Sequence, residues 1–333
     1  MLDVVALGEL LIDFAPQSVN EGGYPTLAAN PGGAPGNFLA ALNKYGCKTA
    51  MIGKVGDDMF GRLLVGTLNR SGIDTRGVLV DKGVFTTLAF VSLDASGNRD
   101  FSFARKPGAD TCLRPEEVDE DLIASARVFH FGTLSLTDEP AASATRRALQ
   151  LARKHGLLVS LDPNLRKPLW ESDEAAKRAI EWSLREADIV KISDEEIDFL
   201  WGLSPEEGAR KLLEEYGVQL VYATLGPKGC YAATRRCHVT VATPAGVKPI
   251  DTTGAGDIFG GSAMSRFLRA GKAPVDLSAD ELEAIVRFGC TAASLSTQKH
   301  GGITSVPEMA EVEQLLAQQP LTPTPAQSVS ANG

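Results

Sequence analysis

The stretch Asp251-Thr252-Thr253-Gly254-Ala255-Gly256-Asp257 governs how the rest of this sequence is interpreted. Apolar residues recur at helical spacing immediately after it, so Gly254 and Gly256 stand at the start of a predicted helix. A short predicted strand precedes Asp251. Backbone amides at a helix start lack intrahelical partners and carry partial positive charge, and glycine lets an anion approach them closely. The segment predicts an anion hole with the carboxylate of Asp257 at its edge.

This segment alone permits two interpretations. An anion hole beside a base suits phosphoryl transfer, which needs donors for the moving charge and an acceptor for the hydroxyl proton. In the other interpretation Asp257 only caps a helix after a glycine turn, and an isolated Gly-x-Gly-Asp favours that view. Other phosphate-binding patterns are absent, namely the Walker A loop, the dinucleotide fingerprint behind the first strand and the protein-kinase H-R-D and D-F-G elements. The remainder of the chain must decide.

The composition is that of a soluble globular protein. The 333 residues are 44% apolar and fit one large α/β domain or two small ones. A net charge of −9 argues against a nucleic-acid binder, because phosphate neutralisation needs clustered Lys and Arg. The sequence has no secretion signal at its start, no run of about 18 apolar residues and no zinc-like spacing of its five cysteines. We expect a cytoplasmic protein that contacts no membrane.

Strand-length apolar runs alternate with longer amphipathic segments over most of the chain. Near-continuous apolar strands separated by helices predict an α/β fold with a mostly parallel sheet covered on both faces. The predicted strands include Val4–Leu7, Ala50–Ile52, Val128–His130, Leu157–Leu161, Ile189–Ile192 and Leu220–Thr224, and the predicted helices include Pro35–Tyr45, Gly61–Ser71, Glu139–His155, Glu174–Glu186 and Pro205–Tyr216.

Two inserted segments, about residues 10–31 and 85–105, contain no helical pattern. The first has a short alternating piece and a Gly/Pro-rich turn, and the second resembles a hairpin around a turn at 94–98. They predict a small β lid over the sheet, with a solvent-exposed flap as the alternative. Exposed lid edges would allow a homodimer. We place the domain at residues 1–318, and the Pro- and Ser-rich tail at 319–333 is expected to be disordered.

Two signatures resemble the ribokinase-like (PfkB-type) carbohydrate kinases, and among them most closely the fructokinases. The first is Pro31-Gly32-Gly33-Ala34-Pro35-Gly36-Asn37, continued at 52–61, and the second spans 251–261. They lie about 200 residues apart in the family's order, and the similarity extends from about residue 3 to 310. The resemblance implies a three-layer ribokinase-like domain with a β lid and ATP-dependent phosphorylation of a sugar.

The resemblance also implies site residues. Asp257 would be the base, and the amides of Gly254, Ala255 and Gly256 would stabilise the transferring phosphoryl group. Residues implied to contact the sugar are Asp13, Gly32, Gly33, Asn37, Phe103, Arg105, Asn164 and Arg166, together with Asp257. The alternatives are a turn residue for Asp13, a helix-start residue for Asn37 and surface ion pairs for the two arginines.

The segments 101–110 and 162–170 resemble fructokinases and narrow the implied substrate to D-fructose. Kinases of 2-keto-3-deoxygluconate share parts of both segments, and a sugar acid would use an arginine for its carboxylate. The arginines therefore do not separate these substrates. From another class, a non-catalytic sugar-binding regulatory homologue would show damage in the Gly-Ala-Gly-Asp turn, which is intact.

The implied nucleotide site is less distinctly marked. Lys191, Ser193 and Glu196 occupy the family's N-x-x-E position, where Glu196 would organise Mg²⁺ through water, although Ser193 replaces the Asn and could form a capping box with Glu196. Thr224, Gly226 and Gly229 resemble the turn that meets the ATP phosphates. The resemblance further implies a monovalent cation such as K⁺ framed by Asp251, Thr253, Ser296, Lys299, Gly301 and Ser305, some through carbonyls.

Overall fold

A computed structural model of the protein describes residues 1–93 and 99–319. The predicted turn at 94–98 and the predicted tail from residue 320 lie outside the described residues. None of the helices in the described ranges is long and apolar enough to span a bilayer.

The described chain folds into alternating strands and helices. The strands are β1 Val4–Leu7, β2 Leu11–Val19, β3 Pro25–Gly32, β4 Thr49–Gly56, β5 Asp74–Asp81, β6 Thr87–Leu93, β7 Arg99–Ala104, β8 Val128–Gly132, β9 Leu158–Asp162, β10 Ile189–Ser193, β11 Leu220–Thr224, β12 Cys230–Ala233 and β13 His238–Val241. The helices are α1 Ala34–Lys44, α2 Met59–Arg70, α3 Glu120–Ala124, α4 Ala141–Lys154, α5 Asp173–Arg185, α6 Asp194–Trp201, α7 Pro205–Glu215, α8 Ala255–Ala270, α9 Ala279–Ser296 and α10 Met309–Gln318.

Most helices are capped at the N-terminus by side chains of neighbouring residues in the sequence. α7 and α9 each follow a serine, Ser204 or Ser278, whose hydroxyl accepts the amide of a glutamate three residues on, and that glutamate accepts the serine amide in return. All five helices named in the sequence analysis lie within two residues of their observed bounds.

The main sheet has nine strands in the order β13-β12-β11-β10-β9-β8-β1-β4-β5. The seven strands from β11 to β5 run parallel, and β12 and β13 are antiparallel at one edge. The predicted mostly parallel sheet is confirmed. β1 lies between β8 and β4, and the chain builds outward from it in both directions. In open α/β sheets, ligands bind beyond the carboxyl ends of the strands at such a reversal of strand order.

The three-layer arrangement follows from strands that are apolar on both faces. Val4 and Ala6 of β1 pack into one core cluster with residues of α1, α8 and α9, whereas Val5 and Leu7 pack into a second cluster with residues of α4, α5 and α7. Successive side chains of a strand point to opposite faces, so each strand contributes to both cores. Helices therefore cover both sides of the sheet.

The predicted β lid is a second sheet of four strands in the order β3-β2-β6-β7. β6 and β7 pair antiparallel, which confirms the predicted hairpin, and β2 pairs parallel to β6. The Gly/Pro-rich turn expected within residues 10–31 lies at 20–24, where the Gly23 amide donates to Asn20 O at 2.9 Å, and residues 25–32 form a strand that the sequence analysis did not predict. β3 is an edge strand, where a proline without an amide donor is tolerated. The domain and lid boundaries themselves stay predictions.

The predicted short strand before Asp251 is wrong. Residues 242–254 contain no strand, and the preceding strand ends at Val241. The amides of Ile250 and Asp251 both donate to the carbonyl of Thr297, at 2.7 and 3.0 Å. The segment is therefore held by the end of α9 rather than by a sheet neighbour.

Candidate active site

The start of α8 differs from the capped helices. Gly254 precedes it with φ 74°, in the left-handed region where a side chain would be strained. A Cβ at Gly254 would also lie 3.0 Å from both Asn37 Nδ2 and Gly302 Cα. Glycine is thus required twice at this position, and no side chain caps the helix.

Two amides in the first turn of α8 are open. The amide of Ala255 donates to Thr252 O at 3.2 Å and that of Ile258 to Gly254 O at 2.8 Å. Within the described ranges, the amides of Gly256 and Asp257 have no hydrogen-bond acceptor. Unpartnered donors at the positive end of a sixteen-residue helix are the arrangement that an anion hole requires.

Asp257 lies in the first turn of α8, beside these donors. Its Oδ2 accepts a hydrogen bond from Asn37 Nδ2 at 2.8 Å. Burial and the nearby carboxylate of Asp162 together raise the pKa of Asp257 to about 6, while Lys191 opposes the shift. A carboxylate whose pKa lies near neutrality is suited to accept a proton in a transition state.

Asn37 is held tightly against α8. A Cβ on Gly302 would lie 2.1 Å from Asn37 Oδ1, so the amide fills the space that two glycines leave open. Asn37 lies in the first turn of α1, as the helix-start alternative states, but its side chain also donates to Asp257 and so orients that carboxylate. Its Oδ1 is buried and has no partner among the described atoms. This acceptor suits a sugar hydroxyl, so the contact of Asn37 with the sugar stays a prediction.

Asp162 is a residue that the sequence prediction missed. It ends β9, and its Oδ2 accepts a hydrogen bond from Lys191 Nζ at 2.9 Å. A Cβ on Gly256 would lie 3.0 Å from Lys191 Nζ, so the ammonium stands directly beside the start of α8. The available signal was a carboxylate at the carboxyl end of a parallel strand, within the segment 162–170.

The loop after β9 turns toward Asp257. Asn164 adopts φ 49°, a left-handed conformation that asparagine tolerates better than most residues. The Leu165 amide donates to Glu196 Oε1 at 2.8 Å, and the guanidinium of Arg166 lowers the pKa of Asp257. Arg166 therefore faces the candidate base electrostatically, and its contact with substrate stays a prediction.

Ser193 and Glu196 form the capping box that the sequence analysis gave as the alternative. Ser193 Oγ accepts the Glu196 amide at 3.1 Å, and Glu196 Oε2 accepts the Ser193 amide at 2.8 Å. With the Leu165 amide on Oε1, both carboxylate oxygens already accept a backbone donor. A bridging role toward Mg²⁺ through water would use the remaining lone pairs, and it stays a prediction.

Arg105 is an interior residue, with a side chain only 3% exposed. Its Nε donates to Asp110 Oδ2 at 2.8 Å, Nη1 to Thr137 Oγ1 at 2.7 Å and Nη2 to Leu134 O at 2.9 Å. The surface ion pair given as the alternative is instead a buried one. These bonds fasten the end of the lid to the main domain and engage all three guanidinium nitrogens with protein acceptors, and the sugar contact of Arg105 stays a prediction.

The sugar-side signature forms a tight turn at the base of the lid. A Cβ on Gly32 would lie 2.4 Å from Asp13 Oδ2, and one on Gly33, at φ 111°, would lie 2.3 Å from Glu9 O. The two glycines thus let the carboxylate of Asp13 lie against the chain just before α1. Phe103 is half-buried on β7, opposite Ala89 of β6. Sugar contacts of these residues stay predictions.

The predicted phosphate turn joins β11 to β12. Thr224 ends β11, and the amide of Leu225 donates to the carbonyl of Gly229 at 2.8 Å. A Cβ on Gly229, at φ 113°, would lie 1.9 Å from Val241 O, so only glycine fits there. The turn stands at the same carboxyl edge of the sheet as Asp162 and Ser193.

The residues predicted to frame a monovalent cation are in part joined directly. Asp251 Oδ1 accepts the Thr253 amide and hydroxyl at 2.9 and 2.7 Å, and Oδ2 accepts the Gly301 amide at 3.1 Å. The ammonium of Lys299 lies 3.6 Å from Glu311, so its carbonyl is the atom left for a cation. The hydroxyls of Ser296 and Ser305 donate to local carbonyls.

One carboxylate with hydroxyls and carbonyls is a set of hard oxygen donors, which fits an alkali or alkaline-earth ion better than a transition metal. No group of three or more His, Cys, Asp or Glu side chains that could hold a metal ion occurs in the ranges 1–93 and 99–319.

A carboxylate with a raised pKa beside open helix amides, at the carboxyl edge of a parallel sheet, is an arrangement suited to phosphoryl transfer. Residues 1–309 match the model of the pfkB family carbohydrate kinases. The chain belongs to this family, as its two signatures predicted.

Relatives and solved structures agree with this assignment. Fructokinase-2 of Solanum lycopersicum is 42% identical over 94% of this chain and 95% of its own length. A crystal structure of fructokinase with bound ATP from Xylella fastidiosa has a TM-score of 0.87 at 29% identity, covering 96% of this chain and 99% of that one. A fructokinase from Vibrio cholerae O395, in a form with bound fructose, ADP and calcium ion, has a TM-score of 0.84 at 31% identity, covering 95% and 99%.

Proposed function

We propose that this protein is an ATP-dependent fructokinase that transfers the γ-phosphoryl group of ATP to the primary hydroxyl of D-fructose. The observation that carries the proposal is the placement of Asp257 beside the open amides of α8. The substrate is supported by the 42% identical fructokinase and by the Vibrio cholerae O395 neighbour with fructose and ADP.

In the proposed reaction, the acceptor oxygen bonds to the γ-phosphorus as the bond to the bridging oxygen breaks, and ADP leaves. Asp257 receives the hydroxyl proton, with Asn37 fixing its orientation through the 2.8 Å hydrogen bond. The amides of Gly254 and Gly256, with the open amide of Asp257, would stabilise charge on the phosphoryl group, whereas the amide of Ala255 already donates to Thr252 O at 3.2 Å. Asp13, Gly32, Gly33, Asn164 and Arg166 would bind the sugar, and lid closure would exclude water as a competing acceptor.

Mg²⁺ with ATP and a K⁺ ion are the proposed cofactors. Mg²⁺ would neutralise phosphate charge, with Glu196 acting through water, and K⁺ would fit the oxygen-rich loop around Asp251. Lys191, Thr224, Gly226 and Gly229 would contact the nucleotide. We further expect a cytoplasmic enzyme without nucleic-acid or membrane partners, whose lid edges would allow a homodimer.

The competing substrate is 2-keto-3-deoxygluconate. A sugar acid needs a cation for its carboxylate, and each nitrogen of the Arg105 guanidinium already donates to a protein acceptor, namely Asp110, Thr137 or Leu134. Arg166 remains as the candidate partner. Interior use of Arg105 therefore favours the neutral ketose.

Formation of ADP with a panel of acceptors tests the proposal: D-fructose, other ketoses, 2-keto-3-deoxygluconate, ribose and adenosine. We expect the highest kcat/KM with fructose, and the Asp257→Asn variant, prepared identically, controls for contaminating kinases. A higher kcat/KM with the sugar acid would replace the proposed substrate. ADP formation with none of these acceptors would support a non-catalytic sugar-binding protein.

A further inference from the structure

Two buried lysines of the main domain differ in how their ammonium groups are satisfied. The side chain of Lys54 is 6% exposed, and its Nζ donates to both oxygens of Glu117, at 2.8 and 2.7 Å, and to Cys112 O at 3.1 Å. The side chain of Lys191 is 14% exposed, and in the described part of the chain its Nζ has one hydrogen-bond partner, Asp162 Oδ2. An ammonium has three donors, so Lys54 is saturated and Lys191 is not.

The partner of Lys191 is also incompletely satisfied. Asp162 has a side chain 7% exposed, and its Oδ1 is buried with no hydrogen-bond partner among the described atoms. Buried polar groups are nearly always hydrogen-bonded, and a buried ion pair with unmet donors and acceptors stabilises a fold poorly. The Asp162–Lys191 pair therefore needs a reason other than stability.

The location of the pair supplies that reason. Lys191 Nζ would lie 3.0 Å from a Cβ on Gly256, whose amide has no acceptor in the described ranges. A cation and an open helix start thus converge on one small volume, beside Asp257. Their shared chemistry is attraction for an anion, and the anion that the proposed reaction brings to this point is the γ-phosphoryl group.

We propose that Lys191 is a catalytic residue that donates to the transferring phosphoryl group, and that Asp162 is the residue that positions it. This inference rests on the proposed kinase function. It goes beyond general nucleotide binding by Lys191, because it assigns the contact to the γ-phosphoryl oxygens and gives Asp162 a role. Lys191 forms no covalent bond and transfers no proton, so its contribution is electrostatic and grows as charge spreads over the phosphoryl oxygens.

Asp162 holds the ammonium through one hydrogen bond and leaves two donors for the ligand. Burial alone would lower the pKa of Lys191, but the negative charges of Asp162, Glu196 and Asp257 raise it overall, so the lysine stays charged. The imidazole of His130 is buried and neutral, because burial lowers its pKa to about 3. The charged groups that face this cluster are Asp162 from β9, Arg166 from the loop after β9, Lys191 from β10, Glu196 from α6 and Asp257 from α8.

Binding measurements on the full chain test the inference without reference to the sugar. We would measure the affinities for ADP and for a non-hydrolysable ATP analogue by calorimetry in the wild type, Lys191→Met and Asp162→Asn. We expect Lys191→Met to weaken the analogue about tenfold more than ADP, since only the analogue has a γ-phosphoryl group, and Asp162→Asn to have a smaller effect in the same direction. Equal losses for both nucleotides would overturn the assignment.

The acid limb of the kcat/KM profile provides a second readout. Removing the positive charge of Lys191 should move this limb to higher pH, and removing the negative charge of Asp162 should move it to lower pH, because these groups shift the pKa of Asp257 in opposite directions. Shifts of the same sign, or changes confined to Tm, would contradict the proposal.

Lys54→Met is the matched control, because it also removes a buried ammonium. We expect a lower Tm but an unchanged ratio of analogue to ADP affinity, and a changed ratio in this variant would show that the assay reports structural damage. If ATP analogue binds as expected but no sugar is phosphorylated, the proposed function fails while the phosphate contact of Lys191 stands.

Discussion

The starts of α2 and α8 follow similar glycine- and aspartate-rich segments, but one is closed and the other is open. At α2, Asp58 Oδ1 accepts the amides of Phe60 and Gly61, both at 2.8 Å, and Oδ2 accepts the Thr86 amide at 2.8 Å. At α8, the residue in the cap position is Gly254, and the amides of Gly256 and Asp257 are unpaired in the described part of the chain.

The difference separates a carboxylate that stabilises the fold, Asp58, from one that is proposed to take part in the reaction, Asp257. Burial opposes ionisation of Asp58, yet its hydrogen bonds from Thr86, Gly61 and Phe60 lower its pKa overall. Asp257, one turn into its own helix, has its pKa raised by burial. The Asp58 carboxylate accepts hydrogen bonds from several amides and so fastens the lid to α2. The Asp257 carboxylate lies beside amides without acceptors and is available to a substrate.

Exchanging Asp257 for Asn gives the largest expected effect. The variant keeps an acceptor for Asn37 Nδ2 but cannot accept the substrate proton. We expect kcat to fall by about two to four decades with a normal fold and little change in KM. Steady-state kinetics with thermal unfolding checks this, and near wild-type turnover would refute the role of Asp257 as base.

The corresponding change at the closed helix, Asp58→Ala, should act on stability. Removing a cap that also holds Thr86 should lower the free energy of unfolding by about 2 kcal/mol. Denaturant unfolding measures the loss, and kcat per folded molecule should stay within about twofold of wild type. A loss of kcat in Asp58→Ala with unchanged stability would show that Asp58, like Asp257, acts in the reaction.

Alanine at a glycine in each first turn sharpens the comparison further. In Gly256→Ala the new Cβ meets Lys191 Nζ at 3.0 Å, so we expect kcat to fall about tenfold while Tm is retained. In Gly61→Ala the Cβ would lie 2.1 Å from Gly56 O, a backbone atom that cannot move aside, so Tm should fall instead. Steady-state kinetics and thermal unfolding of both variants check this. A loss of Tm in Gly256→Ala with a loss of kcat in Gly61→Ala would contradict the comparison.

The smallest expected effect concerns Glu9, whose carboxylate accepts the Ala34 amide at the start of α1. Burial raises its pKa from 4.5 to about 7. The stabilisation from holding this proton is complete below pH 4.5 and is lost as pH rises through about 7. Glu9→Gln should therefore lose less Tm than wild type between pH 5 and 8, and an identical pH dependence would show that Glu9 does not titrate in this range.

Patterns with a strong local cause could be predicted from the sequence. The buried strands, the five named helices and the β6–β7 hairpin follow from periodicity, and the open start of α8 follows from its two glycines. The absence of a strand before Asp251 could not be judged locally, because the Asp251 amide donates to the carbonyl of Thr297, 46 residues further along the chain. The strand at residues 25–32 depends on pairing with β2, which its two prolines conceal.

The candidate site was predicted less completely than the fold. The two signatures predicted Asp257 and Asn37, and the N-x-x-E segment predicted Lys191, but none of them showed that Asn37 bonds to Asp257 or that Lys191 pairs with Asp162. Arg105 shows the limit most clearly, because a guanidinium suited to bind oxygen anions is equally suited to a buried partner. Only the tertiary arrangement places Asp110 beside it.

The two hydrogen bonds of Glu196 bear on how binding of one proposed substrate affects binding of the other. Its Oε2 holds the start of α6, on the proposed nucleotide side, and its Oε1 holds Leu165, between the two residues Asn164 and Arg166 proposed to bind the sugar. The carboxylate of Glu196 is thus hydrogen-bonded to both the proposed nucleotide site and the proposed sugar site. A ligand that displaces either loop changes the energy of the other, and thermodynamic reciprocity requires sugar and nucleotide to alter each other's affinity by the same factor.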